Sequence, residues 1–175
     1  MGGWLEETPL RTFPCIVLGI AISISAASAQ ARHVRGCEIV EFGIYDLKIV
    51  KQAPSTSIAS GTFVETKGEL VKSTSVIPAR LGMAFGYQLK LVGSPVGASV
   101  TVNDVNIVPE PGLRNPKTGD TVFREEASYT RRIGDAWRSD YQLNYDWTLL
   151  PGRWTFQIWV DGQKVCEQIF TLEKQ

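Results

Sequence analysis

The sequence predicts an all-β domain, most simply a sandwich of about seven to nine short antiparallel strands. Bulky side chains occupy every second position from Tyr141 to Leu149, and the alternation resumes from Trp154 to Val160. Period-two alternation is typical of a strand with one buried face. No stretch after residue 29 shows helical periodicity, and 16 glycines and 9 prolines favour frequent turns. A barrel is the alternative arrangement.

Other segments with the composition of strands are separated by turn residues. Residues 38–50 form a predicted first strand, with a bulge or kink at Gly43, and a polar loop follows over 51–60. Three prolines and two glycines predict a loop from Pro109 to Asp120. The other predicted strands cover 62–66, 69–77, 83–92, 99–108 and 122–132, the last as an edge or solvent-facing strand.

The dipeptide Asp161-Gly162 predicts a hairpin that leads to a return strand over 164–172. The length of the turn decides which face of that strand is buried, because a shift of one residue exchanges the faces. A two-residue turn would bury the face with Glu167, so we favour a three-residue loop that begins at Val160. The loop would bury Cys166, Phe170 and Leu172 and leave Trp159, Val165 and Ile169 on the outer face.

The first 29 residues are predicted to be a cleavable signal peptide with a helical apolar segment. Arg11 precedes an apolar run from Phe13 to Ile24, and Ala27-Ser28-Ala29 has the small residues that a signal peptidase reads, with Gln30 as the new first residue. The alternative, a membrane anchor, needs about 20 apolar residues. The acidic pair Glu6-Glu7 is unusual in such a segment and leaves a later translation start open.

The predicted boundaries are therefore 1–29 for the signal peptide, 30–37 for a flexible lead-in and 38–175 for the β domain. Two cysteines remain in the exported chain, Cys37 and Cys166. An oxidising compartment favours a disulfide between them, and two buried free thiols are the alternative. The expected location is periplasmic or secreted, without a membrane span after signal removal.

The residues indicate no recognisable catalytic or metal site, and no cofactor is predicted. The only histidine, His33, lies in the predicted lead-in, whereas Ser-His-Asp and Cys-His sites need a histidine beside the nucleophile. Two cysteines and one histidine are too few for a zinc site. A net charge of zero argues against nucleic acid as a partner. The carboxylates Asp135, Asp140 and Asp146 are expected in turns and on the surface.

Two features favour binding. Long ordered loops often carry recognition residues, although Pro109–Asp120 can equally be a rigid crossover. Trp137, with arginines at 131, 132 and 138, belongs either to an interface or to a lid over the end of the sandwich. The candidate binding residues are Trp137, Trp159, Val165, Ile169, Pro111, Arg114 and Asn115.

Several segments together resemble a bacterial family of exported, immunoglobulin-like domains of unknown function. They are Glu41-Phe42-Gly43-Ile44-Tyr45, residues 77–86, the loop at 111–116 with Gly119, residues 150–156 and Gln168-Ile169-Phe170. The resemblance covers about residues 41–172. It implies an immunoglobulin-like sandwich and export, and it supplies no catalytic residue.

The sequence thus predicts an exported, non-catalytic binding or assembly module with an unknown protein or envelope component as its partner. Carbohydrate binding and carboxylate-dependent hydrolysis are the alternatives. A contiguous apolar patch would favour a protein partner. A groove with aromatic and polar walls would favour a glycan, and a pocket with two carboxylates roughly 5 to 10 Å apart would favour a hydrolase.

Overall fold

The computed structural model describes Gly2 and residues 32–56 and 58–174; the cleavage residues of the predicted signal peptide lie outside the described residues. In the described part, no helix is long and apolar enough to cross a membrane. A single 3-10 turn at Asp146–Thr148 accompanies eleven strands there. The strands are β1 His33–Pro54, β2 Thr62–Lys72, β3 Val76–Pro78, β4 Ala84–Ser94, β5 Ser99–Ile107, β6 Leu113–Arg114, β7 Thr121–Val122, β8 Arg124–Arg132, β9 Ala136–Gln142, β10 Gly152–Val160 and β11 Gln163–Glu173.

Two sheets face each other, as the sequence predicted. Sheet A has the strand order β2-β1-β4-β9, and sheet B has the order β3-β11-β10-β5-β8. Neighbours are antiparallel except β3, which runs parallel to β11. The predicted loop 109–120 contains β6, which pairs with β7 as a small separate hairpin. The predicted edge strand is β8, at the open end of sheet B.

An aromatic cluster fills the space between the sheets. Phe85 of β4 lies 5.7 Å from Trp154, 5.4 Å from Phe156 and 5.3 Å from Phe170, measured between ring centroids. All four rings are fully buried. Each side chain of this size contributes roughly 2 kcal/mol by leaving water. The alternating patterns of β4 and β10 therefore point their bulky rows into one shared core.

The first strand begins earlier and ends later than predicted. Residues 33–37, expected in the lead-in, pair with β4, and β1 continues to Pro54 through part of the predicted loop. The predicted bend at Gly43 is confirmed, because the ladder is irregular between Ile44 and Tyr45, where pairing passes from β4 to β2. Gly43 has φ +146°, and a Cβ there would collide with the carbonyl oxygen of Lys72.

The predicted strand over 141–149 is wrong, because the ladder with β4 ends at Gln142. The Leu143 N–H donates to the Met83 carbonyl at 2.9 Å, and the Leu143 carbonyl accepts from the Gly82 N–H at 2.8 Å. Leu143 is fully buried at this junction. The chain then leaves the sheet.

Local hydrogen bonds replace the ladder in the rest of that segment. Thr148 Oγ1 donates to the Tyr145 carbonyl at 2.6 Å, within the 3-10 turn. Side chains that bond to nearby backbone compete with strand pairing. Tyr145 is consequently 42 % exposed and stacks on Trp147 at 5.4 Å, instead of being buried as the alternation predicted.

The closing hairpin has a two-residue turn, so the predicted three-residue loop is wrong. Val160 pairs with Gln163, and the turn consists of Asp161 and Gly162 alone. Their φ angles are +49° and +76°. Positive φ at both central residues is the requirement of a type I′ turn, which matches the twist of paired strands.

A bulge nevertheless buries the predicted face of the last strand. Ile158 pairs with Cys166 and Trp159 with Lys164, so Val165 is an extra residue in β11. An extra residue exchanges the two faces beyond it. The predicted burial is therefore confirmed for Cys166, Phe170 and Leu172.

A disulfide joins Cys37 to Cys166, with a Cα–Cα distance of 5.5 Å. Cys37 belongs to β1 of sheet A, and Cys166 to β11 of sheet B. The bond therefore ties the two sheets together near the beginning and the end of the domain.

Candidate functional site

A long hairpin arm connects the two sheets. We define the arm as residues 45–56 and 58–70, the distal part of β1 and most of β2. The arm crosses to β9, where the Arg138 guanidinium donates to the Gly68 carbonyl at 3.1 Å and to the Thr66 carbonyl at 3.3 Å. It then reaches sheet B, where Phe63 lies 5.9 Å from the Tyr129 ring. The arm therefore forms a wall across the gap between β9 and β8.

The tip of the arm is held by β8 and by the β6–β7 hairpin. The Ala59 N–H donates to Glu125 Oε1 at 2.5 Å, and the Ala59 carbonyl accepts from Asn115 Nδ2 at 3.0 Å. Asn115 Oδ1 accepts from the Lys117 N–H at 2.9 Å. Asn115, a predicted binding residue, thus contacts the arm, while Pro111 and Arg114 of the same segment are exposed.

Behind the arm lies a cleft with two connected chambers. The larger chamber has a volume of about 750 Å³ and the smaller about 330 Å³. The larger is bounded by the arm, Arg131 and Trp137, and the smaller by the arm tip, Asn106 and Glu125. Both chambers share the residues Phe63, Thr66, Asp104, Tyr129 and Asp140. We call this two-chambered space the arm cleft.

The wall that sheet B contributes to the cleft is unusually polar. Cross-strand partners share a face, and Val102, fully buried in the core, pairs with Tyr129. Every second residue of β5 and β8, counted from this pair, therefore also points toward sheet A. On this inner face lie Val100, Val102, Asp104 and Asn106 of β5 and Glu125, Ala127, Tyr129 and Arg131 of β8. Two carboxyl groups and a guanidinium thus stand where a sandwich normally places apolar side chains.

Asp104 is the central acid of the cleft. Ser139 of β9 donates its hydroxyl to Asp104 Oδ1 at 2.9 Å, which links the two sheets. Asp104 is half-buried by accessible area, yet its carboxylate is so closely surrounded by protein that desolvation raises its pKa to about 7. The Asp140 charge also raises this pKa, whereas the Ser139 bond and the Arg131 charge lower it.

Glu125 is the second buried acid, with 4 % of its surface exposed. Burial raises its pKa to about 7, although the hydrogen bond from the Ala59 N–H lowers it. Asn106 stands opposite Glu125, and Ala127 stands opposite Asp104. The two acids are therefore diagonal neighbours, with Cα atoms roughly 7 to 8 Å apart.

The two arginines of the cleft differ in their partners. Arg138 Nε lies 2.7 Å from Asp140 Oδ2, and both side chains are 15 % exposed. Asp140, expected on the surface, is thus half-buried in an ion pair beneath the arm. Arg131 has its Cζ 4.7 Å from the Tyr129 ring centroid and 5.7 Å from that of Trp137. Within the described residues, Arg131 has no carboxylate within 4.0 Å.

Several buried polar atoms around the cleft lack a protein partner. Over the described residues, these side-chain atoms are Tyr87 Oη, Asn106 Oδ1, Arg131 Nε and Trp137 Nε1. Three of the four belong to residues that line the cleft. Buried polar groups without hydrogen bonds cost about 1 to 3 kcal/mol each, so this part of the core opposes folding.

The other predicted binding residues lie away from the cleft. Trp159 is half-buried on the outer face of sheet B, where its Nε1 donates to Gln157 Oε1 at 2.9 Å. Gln157 in turn donates to Glu167 at 2.9 Å. Val165 and Ile169 are also half-buried. The large hydrophobic residues that are exposed lie elsewhere in the described chain, for example Val71 and Val96.

The sequence analysis identified Trp137 but missed Asp104 and Glu125. One signal for Asp104 was present: Val100 and Val102 begin an apolar row, and Asp104 and Asn106 occupy its next positions. A row that changes from apolar to acidic within one strand indicates a functional part of the core.

The fold and the cleft define an immunoglobulin-like β-sandwich with an arm-covered polar site. The chain belongs to the family described as Domain of unknown function (DUF3859), whose model matches residues 33–172. The predicted resemblance to an immunoglobulin-like family of unknown function is thereby confirmed. No curated protein matches the chain in sequence.

The solved structures that match the chain include two Pseudomonas proteins. An immunoglobulin-like protein from Pseudomonas aeruginosa shares 20% identity with a TM-score of 0.56, over 83% of this chain and 99% of that one. An alkylpurine DNA glycosylase from Pseudomonas fluorescens, bound to DNA with an abasic site analog, shares 15% identity with a TM-score of 0.35. That match covers 76% of this chain and 30% of the glycosylase. The first similarity shows the fold alone, and the second supports no inference.

Proposed function

We propose that this protein is an exported, non-catalytic binding domain whose arm cleft holds a carbohydrate or a similar polar component of the cell envelope. The observation that carries the proposal is the polar inner face of β5 and β8, where Asp104, Asn106 and Arg131 line the arm cleft. Such groups oppose folding, so their presence in the core is best explained by a ligand that satisfies them.

The composition of the cleft suits a sugar. Hydroxyl groups need both acceptors and donors, which Asp104, Asn106 and Arg131 provide. The apolar face of a pyranose ring packs on aromatic side chains, and Trp137 and Phe63 line the larger chamber. A chamber of about 750 Å³ lies within the range of small-molecule sites.

Export is supported by two independent features. The segment before the domain has the charge, apolar run and small residues of a secretory signal, ending at Ala27 and Ala29. The Cys37–Cys166 disulfide is a bond that persists in oxidising compartments.

The proposal is tested by calorimetric titration of the purified protein with envelope saccharides. We expect Trp137→Leu to weaken binding about tenfold or more, which corresponds to roughly 1.4 kcal/mol. The matched control is Trp159→Leu on the outer face, which should bind as the wild type does. Thermal melting of both variants separates lost contacts from lost folding. Absence of binding to any saccharide would contradict the proposal.

The same experiment distinguishes two other functions. Retained binding in Trp137→Leu with loss in Trp159→Leu would move the site to the outer face, where Trp159 is one of the predicted binding residues. Release of sugar products by the wild type would indicate a hydrolase. Hydrolysis is the second candidate function, because Asp104 and Glu125 line the same cleft. Binding is favoured because Glu125 is 4 % exposed and one of its oxygens is bonded to Ala59.

A further inference from the structure

Arg131 is a half-buried cation of the cleft whose hydrogen-bonding capacity is largely unused by the described protein residues. Its Nε is buried without a protein partner, and its Nη1 donates only to the Thr130 carbonyl, at 3.2 Å. Arg138, by contrast, bonds to Asp140 and to backbone and side-chain atoms of Thr66. Arg138 therefore builds the cleft wall, whereas Arg131 is available to a ligand.

The guanidinium of Arg131 is also held in place. It lies over the Tyr129 ring at 4.7 Å and near the Trp137 ring at 5.7 Å. Cation–π contacts of this kind fix the plane of the group and leave its N–H edges free. A planar fork of donors is the arrangement that binds a carboxylate through two parallel hydrogen bonds.

We propose, on the basis of the carbohydrate-binding function above, that the ligand carries a carboxylate group and that Arg131 binds this carboxylate through the N–H groups of its Nη atoms. The chemical class is an acidic sugar, such as a uronic acid residue.

The surrounding charges favour a single negative charge over a phosphate dianion. Arg138 already neutralises Asp140 at 2.7 Å. Asp104 lines the same chamber and would repel a dianion more strongly than a monoanion. The remaining charged residues of this chamber are exposed at its rim: Asp46, Lys48, Glu65, Lys67 and Glu69.

The test compares D-galacturonate with D-galactose, which differ only in the carboxylate at carbon 6. We expect the wild type to bind galacturonate about tenfold or more tightly than galactose. Arg131→Gln should abolish this preference, and Arg131→Lys should retain only part of it, because a lysine lacks the fork. The matched control Arg132→Gln, at the adjacent exposed position of β8, should keep the full preference. Galactose 6-phosphate is expected to bind more weakly than galacturonate.

The outcomes separate this proposal from the proposed function. Equal affinity for galactose and galacturonate would overturn the role of Arg131 while leaving sugar binding intact. Failure of every saccharide to bind would overturn both. If Arg131→Gln does not fold, the NMR resonance of the Arg131 Nε–H group in the wild type tests the proposal instead. It should shift on addition of galacturonate and not of galactose, and the absence of a shift would contradict the proposal.

Discussion

Asp104 and Glu125 are carboxylic acids placed where water cannot easily stabilise their charges. Desolvation raises the pKa of each to about 7, from ordinary values of 3.8 and 4.5. Neither has a cationic partner within 4.0 Å in the described chain. Acidic side chains at these two positions therefore destabilise the folded protein at neutral pH. Such a loss of stability is expected of residues retained for a ligand.

This arrangement predicts that stability falls as the pH rises. Between about pH 4.5 and 7 the unfolded chain loses these protons while the folded protein keeps them, so the unfolded state binds fewer protons. Each carboxyl then lowers the free energy of unfolding by up to about 1.4 kcal/mol per pH unit, and the decline ends above about pH 7. Urea unfolding of Asp104→Asn and Glu125→Gln should show a reduced slope.

The control for that experiment is Glu126→Gln, at a residue whose carboxylate pairs with Arg124 on the exposed side of β8. It should retain the slope of the wild type. A stability that rises across the same pH interval would show that the two acids are ionised in the folded protein.

Part of the site could be predicted from the sequence, because residues two positions apart on a strand share one face. Val100, Val102 and Asp104 lie two positions apart, so an inward-facing acid follows directly from the strand pattern. The burial of Glu125 and the pairing of Asp140 do not follow, because they depend on the arm, whose path is not encoded locally. Alternation also misled at Tyr145, where a bond from Thr148 outweighs the strand pattern.

At the scale of elements, the arm is fixed to β9 mainly by one side chain. Arg138 bonds to Asp140, to Thr66 and to the Gly68 carbonyl, and its Cζ lies 5.1 Å from the Tyr45 ring centroid. These contacts join two edge strands of sheet A that share no ladder. Without them, the hydrogen bond from Thr66 Oγ1 to Asp140 Oδ2, at 3.1 Å, would still join the arm to β9, but the wall of the larger chamber would be weakened.

Arg138→Ala is therefore expected to destabilise the protein by about 3 kcal/mol, because removal of one partner leaves the half-buried Asp140 unpaired. Amide hydrogen exchange should accelerate in residues 62–70 more than in β10. The matched control is Arg80→Ala at an exposed position, with an expected change below about 0.5 kcal/mol. Uniform acceleration over the whole domain would contradict a local role for Arg138.

The closing hairpin shows why a register is harder to predict than a face. The rule that Glu167 avoids the core selected the correct buried row, Cys166, Phe170 and Leu172. The turn chemistry of Asp161-Gly162 demanded two residues. Both conditions hold at once only because β11 contains a bulge at Val165, and a bulge has no reliable signal in composition.

At the scale of the whole molecule, the disulfide is expected to contribute strongly to stability. Cys37 and Cys166 are separated by 129 residues, and the chain-entropy model assigns about 4 to 5 kcal/mol to a closed loop of that length. Urea unfolding of the double variant Cys37→Ala, Cys166→Ala should show a loss of this order. Reductant should lower the stability of the wild type and leave the double variant unchanged, and equal stabilities would refute the contribution.

The sandwich itself was predictable because its core rows recur along β4 and β10, and the apolar alternation there is uninterrupted. The arm cleft could not be predicted in this way, because its walls come from the arm, β5, β8 and β9, which are distant in the chain. Contacts between such segments depend on how the sheets twist and cross, which periodicity within one strand does not specify.

The position of the Cys37–Cys166 bond also determines how the domain responds to tension. A pull between the segment before Cys37 and the segment after Cys166 passes through two sulfur atoms, and the loop between these cysteines, which lie 129 positions apart, carries no load. Stretching the oxidised protein by its ends should thus load the segments outside the bond, among them residues 167–173 of β11, while no tension passes along the chain through the arm or the cleft.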